Sequence, residues 1–297
     1  MSLRDLFLLT IVCLVWAGNS VMSKLVISDL GAPPLFYAAA RFAVVMVVTL
    51  PWLLPAPRPV WRMVAVGLLI GGGNFALSFL ALKTVTPSAF GVVIQLGVPF
   101  STLLSVTLLG EKIRWRRGLG IAVTLAGALI VIVDPKGFTF SAGMLLVAAA
   151  ALTGSLGAVM MKQIEGVSPL RFQAWVGFSS LWPLVALTLL TEHGQVAVLQ
   201  HHLVPFVGAV LFSALIVSVL AHTAYYWLIG RYEVNLLQPL TLMTPLATIG
   251  LGVLITHDPF GPRMAIGSII ALAGVLMIAL RRNHVAPLLL LFRSAPQ

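Results

Sequence analysis

The chain is 297 residues long and 60% hydrophobic, with only 9% Asp, Glu, Lys or Arg, against roughly 25% in an ordinary soluble domain. A water-soluble fold of this composition would expose a large apolar surface; lipid is the solvent that fits, and about ten spans of ~20 residues use up the length with no room for a separate soluble domain. The formal charge of +10 lies in short loops beside apolar segments, where basic residues set membrane orientation rather than bind nucleic acid.

Interruptions by Pro, Gly and charge predict ten apolar helices near 5–25, 33–54, 62–82, 87–108, 116–133, 141–161, 170–191, 203–228, 235–256 and 262–280. The first has the look of a secretory signal peptide, but its counterpart in the second half is internal, so it reads as a span. Cys13 is the only cysteine and lies in that first segment, which excludes an internal disulfide. With the N-terminus in the cytoplasm, the inner stretches hold thirteen Lys and Arg: Arg4, Arg58, Arg62, Lys112, Arg114, Arg116, Arg117, Lys162, Arg171, Arg231, Arg281, Arg282 and Arg293. The outer loops hold four, Lys24, Lys83, Lys136 and Arg263. That bias places both termini in the cytoplasm. The tail 282–297 contains Pro287 and a leucine run too short to span.

The chain repeats itself. Leu96-Gly97-Val98-Pro99 corresponds to Leu242-Met243-Thr244-Pro245, and Gly120 and Gly127 correspond to Gly267 and Gly274. Val21-Met22-Ser23-Lys24 likewise matches Val159-Met160-Met161-Lys162. The units are 1–137 and 138–281, each with five predicted spans. An odd number of spans turns the second unit upside down relative to the first. The expected fold is therefore all-α and integral to the membrane, ten helices in two inverted five-helix repeats. Inverted repeats of this kind build secondary transporters that bind cargo near the midplane, although duplication of a structural membrane protein would leave the same trace.

The ten-span plan, the Pro-bearing fourth and ninth segments, Leu108-Leu109-Gly110-Glu111 and the glycine-spaced fifth and tenth segments resemble the drug/metabolite transporter superfamily. The nearest branch is that of EamA-domain exporters, which includes exporters of aromatic and other amino acids. The resemblance spans about residues 5–281; the second repeat departs from it, with His257-Asp258 where the first has Gly110-Glu111. It implies a secondary transporter of the bacterial inner membrane that exports amino acids, with multidrug or organic-cation export as the alternative.

Polar groups inside a bilayer need a partner or a wet cavity. The candidate substrate-binding residues are Trp16, Asn19 and Ser23 of the first segment, Asn74, Ser78 and Phe79 of the third, and Gln95 of the fourth. Trp175 of the seventh, His222, Tyr225 and Tyr226 of the eighth, and Gln238 and Thr241 of the ninth complete the set. Pro99 and Pro245 each free the carbonyl four residues earlier, at Gln95 and Thr241, and paired proline breaks point to a transporter's binding site; plain kinks for packing are the alternative. His222 is the one histidine well inside a segment. It is a candidate proton relay, or else a neutral ring bonded to Tyr226 or to a backbone carbonyl. No Asp or Glu falls inside a predicted span. Arg41 binds a substrate carboxylate or snorkels to the headgroups, and snorkelling is the favoured reading. Motifs for hydrolases, zinc proteases and nucleotide loops are missing, so an enzyme, a metal site and a cofactor are not expected. The partners expected are a small-molecule substrate and the bilayer.

Overall fold

The computed structural model describes residues 1–110, 115–134, 139–161, 163–164, 166–232, 237 and 240–279. Among them, nine helices are long and apolar enough to cross a membrane. We label these α1 (Leu3–Ser28), α2 (Pro34–Trp52), α3 (Val60–Leu82), α4 (Pro87–Leu109), α5 (Trp115–Ile132), α6 (Ala142–Met161), α7 (Pro169–Thr191), α8 (Leu203–Leu228) and α10 (Pro262–Ala279). The ninth expected segment is a shorter apolar helix, α9 (Met243–Ile255); 233–236 and 238–239 before it lie outside the described residues, as does the tail 280–297.

Helix starts follow their local chemistry. The side chains of Ser2, Thr86 and Ser168 accept from the backbone N–H of Asp5, Ala89 and Arg171, satisfying donors that a first turn leaves orphaned. Pro34, Pro87, Pro169 and Pro262 stand at the first helical position, where a missing N–H costs nothing. α4 ends on Gly110 at φ 67°, the left-handed cap that favours glycine. The fold is all-α as expected, with one two-residue pairing past α5, where Val133–Asp134 runs antiparallel to Thr139–Phe140.

The helices pack in a pattern with internal correspondence. α2 packs on α7, α5 on α10, and α4 on α9. α3 lies against α6 as α8 lies against α1, and α4 against α6 as α9 against α1. Exchanging the first five helices for the last five maps each pairing onto another or onto itself. α5 and α10 come closest: a methyl added at Gly127 would strike the backbone of Gly267 and Ala271. Without hydrophobic drive between helices in lipid, such close approach of small residues is what holds a pair together.

The outer surface is apolar, with Phe7, Val47, Leu189, Leu190, Val204 and Leu254 among its exposed side chains. Trp52, Trp61 and Trp115 are exposed near helix ends, where indole rings sit at headgroup level. At the end of the bundle that carries the N-terminus, buried Leu9, Cys13, Leu228 and Leu237 form a plug joined by Leu8, Tyr225, Leu240 and Met243. The Tyr232 hydroxyl donates to the Asp5 carboxylate over it. At the opposite end Glu192 accepts from the N–H groups of Leu35 and Phe36 at 2.9 Å each. Asp258 accepts from Ser88 N–H at 2.8 Å. Both carboxylates thus sit at helix N-termini, where the dipole favours negative charge.

Candidate functional site

A cavity of about 270 Å³ lies inside the bundle, walled by α1, α3, α4, α8 and α9, so that both halves of the chain contribute. Its volume is just under the roughly 300 Å³ at which pockets for drug-sized ligands begin. Two of its polar residues owe their place to an irregularity that 3.6-residue periodicity cannot show. α3 contains a π-helical turn at Leu68–Gly73 and α8 another at Phe212–Ala221. The residue that follows each turn, Asn74 and His222, faces the cavity. π turns are rare and gather at functional sites; here the two fall in helices that correspond between the halves.

The hydrogen bonds define which polarity each group presents. His222 Nδ1 lies 2.7 Å from the carbonyl of Val217. A carbonyl only accepts, so Nδ1 carries the hydrogen and a neutral ring keeps Nε2 as its acceptor. This is the backbone-bonded arrangement, not a bond to Tyr226. Asn74 Nδ2 donates to Ala150 O at 2.7 Å, which leaves its carbonyl oxygen for other partners. The Trp16 ring lies 5.2 Å from His222 and 5.0 Å from Tyr225, and its Nε1 is buried without a partner among the described residues.

Arg41 overturns the snorkelling expectation. It is 0% exposed. Nε donates to Ser218 Oγ at 3.0 Å and Nη1 to Ser213 Oγ at 2.7 Å, while the guanidinium carbon lies 3.9 Å from the Phe75 ring centroid. The reason is local: Ser213 and Ser218 are five residues apart, a spacing a π turn brings onto one face whereas an α-helix separates it. Ser213 in turn donates its single proton to Asn19 Oδ1 at 2.8 Å. The oxygen of Asn19 is therefore engaged, and its NH2 is the group left for the cavity.

Of the residues expected at the site, Trp16, Asn19, Asn74, Ser78, Phe79, Gln95, His222 and Pro245 line this one cavity. Others do not. Trp175 points away and donates Nε1 to Leu53 O at 3.0 Å. Ser23 is buried outside the lining, Tyr225 meets Trp16 edge-on outside the lining, and Tyr226 packs on Phe172 beside a smaller void. Pro99 is buried away from the cavity, and Gln238 lies outside the described residues. Thr241 gives way to Thr244 and Thr248, one and two turns on. The proline argument also needs correction at Thr241: its carbonyl accepts from Thr244 N–H at 2.9 Å. A tightened turn takes up what Pro245 leaves, and in α4 the tight turn Ile94–Leu96 stands just ahead of Pro99. Sequence reasoning missed Phe75, Phe90, Ile94 and Val217, which carry no polar signal, and Ser213, whose role rests on the π turn.

Among the described residues, no Asp or Glu lines the cavity and no cluster of His, Cys, Asp and Glu is arranged to hold a metal. Its wall is aromatic and amide-bearing, enclosed by four membrane-length helices and the shorter α9, and fits a protein that handles small molecules within a bilayer. The comparisons agree. The chain belongs to the EamA-like transporter family, matched over residues 3–133 and again over 141–280, and is a multi-pass membrane protein. It is 26% identical over 286 residues to a probable amino-acid metabolite efflux pump of Salmonella typhimurium, covering 93% of this chain and 94% of that one. Its identity to a probable amino-acid metabolite efflux pump of Escherichia coli is 24% over the same length and coverage. The uncharacterized inner membrane transporter YedA of Escherichia coli is 26% identical over 232 residues, 74% of this chain and 73% of that one. A crystal structure of a protein with 21% sequence identity shares the fold, with a TM-score of 0.62 over 99% of this chain and 100% of that one.

Proposed function

We propose that the protein is a secondary transporter of the bacterial inner membrane that exports amino acids, neutral and aromatic ones foremost. It works by alternating access around the cavity between two inverted repeats, 1–137 and 138–281, with both termini in the cytoplasm. The observation that carries this reading is the cavity itself: about 270 Å³, walled from both halves and lined by Trp16, Asn19, Asn74 and His222, whose hydrogen bonds leave the NH2 of Asn19 as a donor and His222 and Asn74 as acceptors. A zwitterion needs both kinds within one small volume, and the aromatic wall accommodates a side chain between them. The exchange symmetry of the helix pairings supports the inverted repeat, and the excess of Lys and Arg on one side supports the orientation. The names of the two efflux-pump relatives and of the inner membrane relative support cargo and location.

Organic cations fit less well. Among the described residues the cavity has no acid to pair with one, and Arg41 stands behind its wall. Counterflow in proteoliposomes tests the proposal: unlabelled phenylalanine or leucine is preloaded and entry of the same labelled compound is followed. Transient accumulation that disappears in Gln95→Ala supports it. Counterflow with an organic cation and none with any amino acid would overturn it.

A further inference from the structure

Among the described residues, Arg41 has no carboxylate to pair with. A guanidinium stays protonated in proteins, and burying one without a carboxylate carries a desolvation cost that hydroxyls and a ring face offset only in part. Its hydrogen-bond partners among the described residues are Ser213 and Ser218, and Nη2 is buried without any. The guanidinium borders a second void, of about 10 Å³, also lined by Gln173 and Tyr226. That is room for a water at most. Two residues line both this void and the large cavity, Phe75 and His222. Phe75 is the partition: one face covers Arg41 at 3.9 Å, and the residue also faces the cavity. Asn74 alone separates it from the π turn whose last three residues are Gly71, Gly72 and Gly73, and its ring meets Phe42 and Phe79 edge-on, with centroids 5.6 and 5.8 Å away.

We propose that Arg41 is an anchoring site for the carboxylate of the cargo and that Phe75 is the shutter over it. When the ring swings aside the two voids join, and Nη2 meets a carboxylate oxygen while Nε and Nη1 remain on their serines. The Asn19 amide, turned by the same Ser213, presents a second donor from the cavity side. A carboxylate so placed neutralises the buried charge, and a carboxamide does not. Only the choice of an amino acid as cargo rests on the export reading above; the anion site is independent of it.

The test compares matched pairs on detergent-purified protein. L-phenylalanine and 3-phenylpropionate are set against L-phenylalaninamide and 3-phenylpropionamide, with thermal stabilisation as the measure of binding. The wild type is expected to bind the acids about tenfold or more tighter than the amides, as for a charge-assisted hydrogen bond in a dry site. Arg41→Gln is expected to bind acid and amide alike. Arg41→Lys, which keeps the charge should the glutamine variant fail to fold, is expected to retain the preference with about tenfold weaker affinity, one ammonium being unable to serve two serines and a carboxylate. Phe75→Leu, which removes the competing ring face, is expected to bind the acids about threefold to tenfold tighter. An acid preference that survives in Arg41→Gln, or a wild type that binds acids no better than amides, overturns the anchor. Looser binding in Phe75→Leu overturns the shutter. If counterflow finds no amino-acid transport while the phenylpropionate pair still discriminates through Arg41, the export reading falls and the anion site stands.

Discussion

A serine hydroxyl has one proton to give, and at Ser213 Arg41 decides where it goes. Because Nη1 donates into the oxygen, the proton is directed to Asn19, and a charge out of contact with the cavity sets the polarity of an amide inside it. Ser213→Ala strands two buried groups at once. The cost expected is about 1–3 kcal/mol per stranded group, seen as a lower midpoint in thermal denaturation of the purified protein. Trp16 predicts the opposite pattern. Its Nε1 is buried without a partner among the described residues, so Trp16→Phe keeps the ring contacts and should leave the thermal midpoint unchanged. Half-saturation in counterflow should rise about fivefold to tenfold for one lost hydrogen bond to a charged group. Equal loss of stability and of affinity would place the indole among the packing residues. At this scale the sequence was informative about residue type and silent about facing. Arg41 and Trp175 have the same hydropathy whichever way they point, and the structure put the first inside and the second away from the cavity.

At the scale of helices, ends were more legible than interiors. Pro34, Pro87, Pro169 and Pro262 announce helix starts in any solvent, and the observed starts fall on those residues. The π turns carry no such mark, since they arise from how α3 and α8 seat against neighbours; Gly71-Gly72-Gly73 was a hint in one of them only. The α5–α10 pair shows what glycine does as a contact rather than as a turn. A methyl at Gly127 meets the backbone of α10, which cannot move aside like a side-chain tip, whereas one at Gly250 in α9 meets open space. Gly127→Ala is therefore expected to destabilise by about 1–3 kcal/mol, and Gly250→Ala to be neutral or to stabilise by up to about 1 kcal/mol. Denaturation of both variants in the same detergent checks the contrast, and equal effects would mean that the helices separate there.

At the scale of the molecule, the two ends of the bundle are held by different means. Opposite the N-terminus, Glu192 and Asp258 cap helices through backbone N–H groups. At the N-terminal end, among the described residues, the apolar plug is crossed by side-chain bonds from Tyr232 to the Asp5 carboxylate and from Thr10 to the Met243 sulfur. The alternating access proposed above requires the plug to part, and a bond to a charged group is the contact most easily removed without disturbing packing. Tyr232→Phe is expected to raise the population of the parted state about tenfold, for a bond of roughly 1.5 kcal/mol.

That population can be read without engineering a probe. The only sulfhydryl in the chain, Cys13, is buried within the plug, so a maleimide that reaches it reports on one event at one place with no background to subtract. Its labelling should be slow in the resting protein, faster in Tyr232→Phe, and modulated by cargo. The chain thus carries its own turnstile counter, set at the door whose movement the export reading requires.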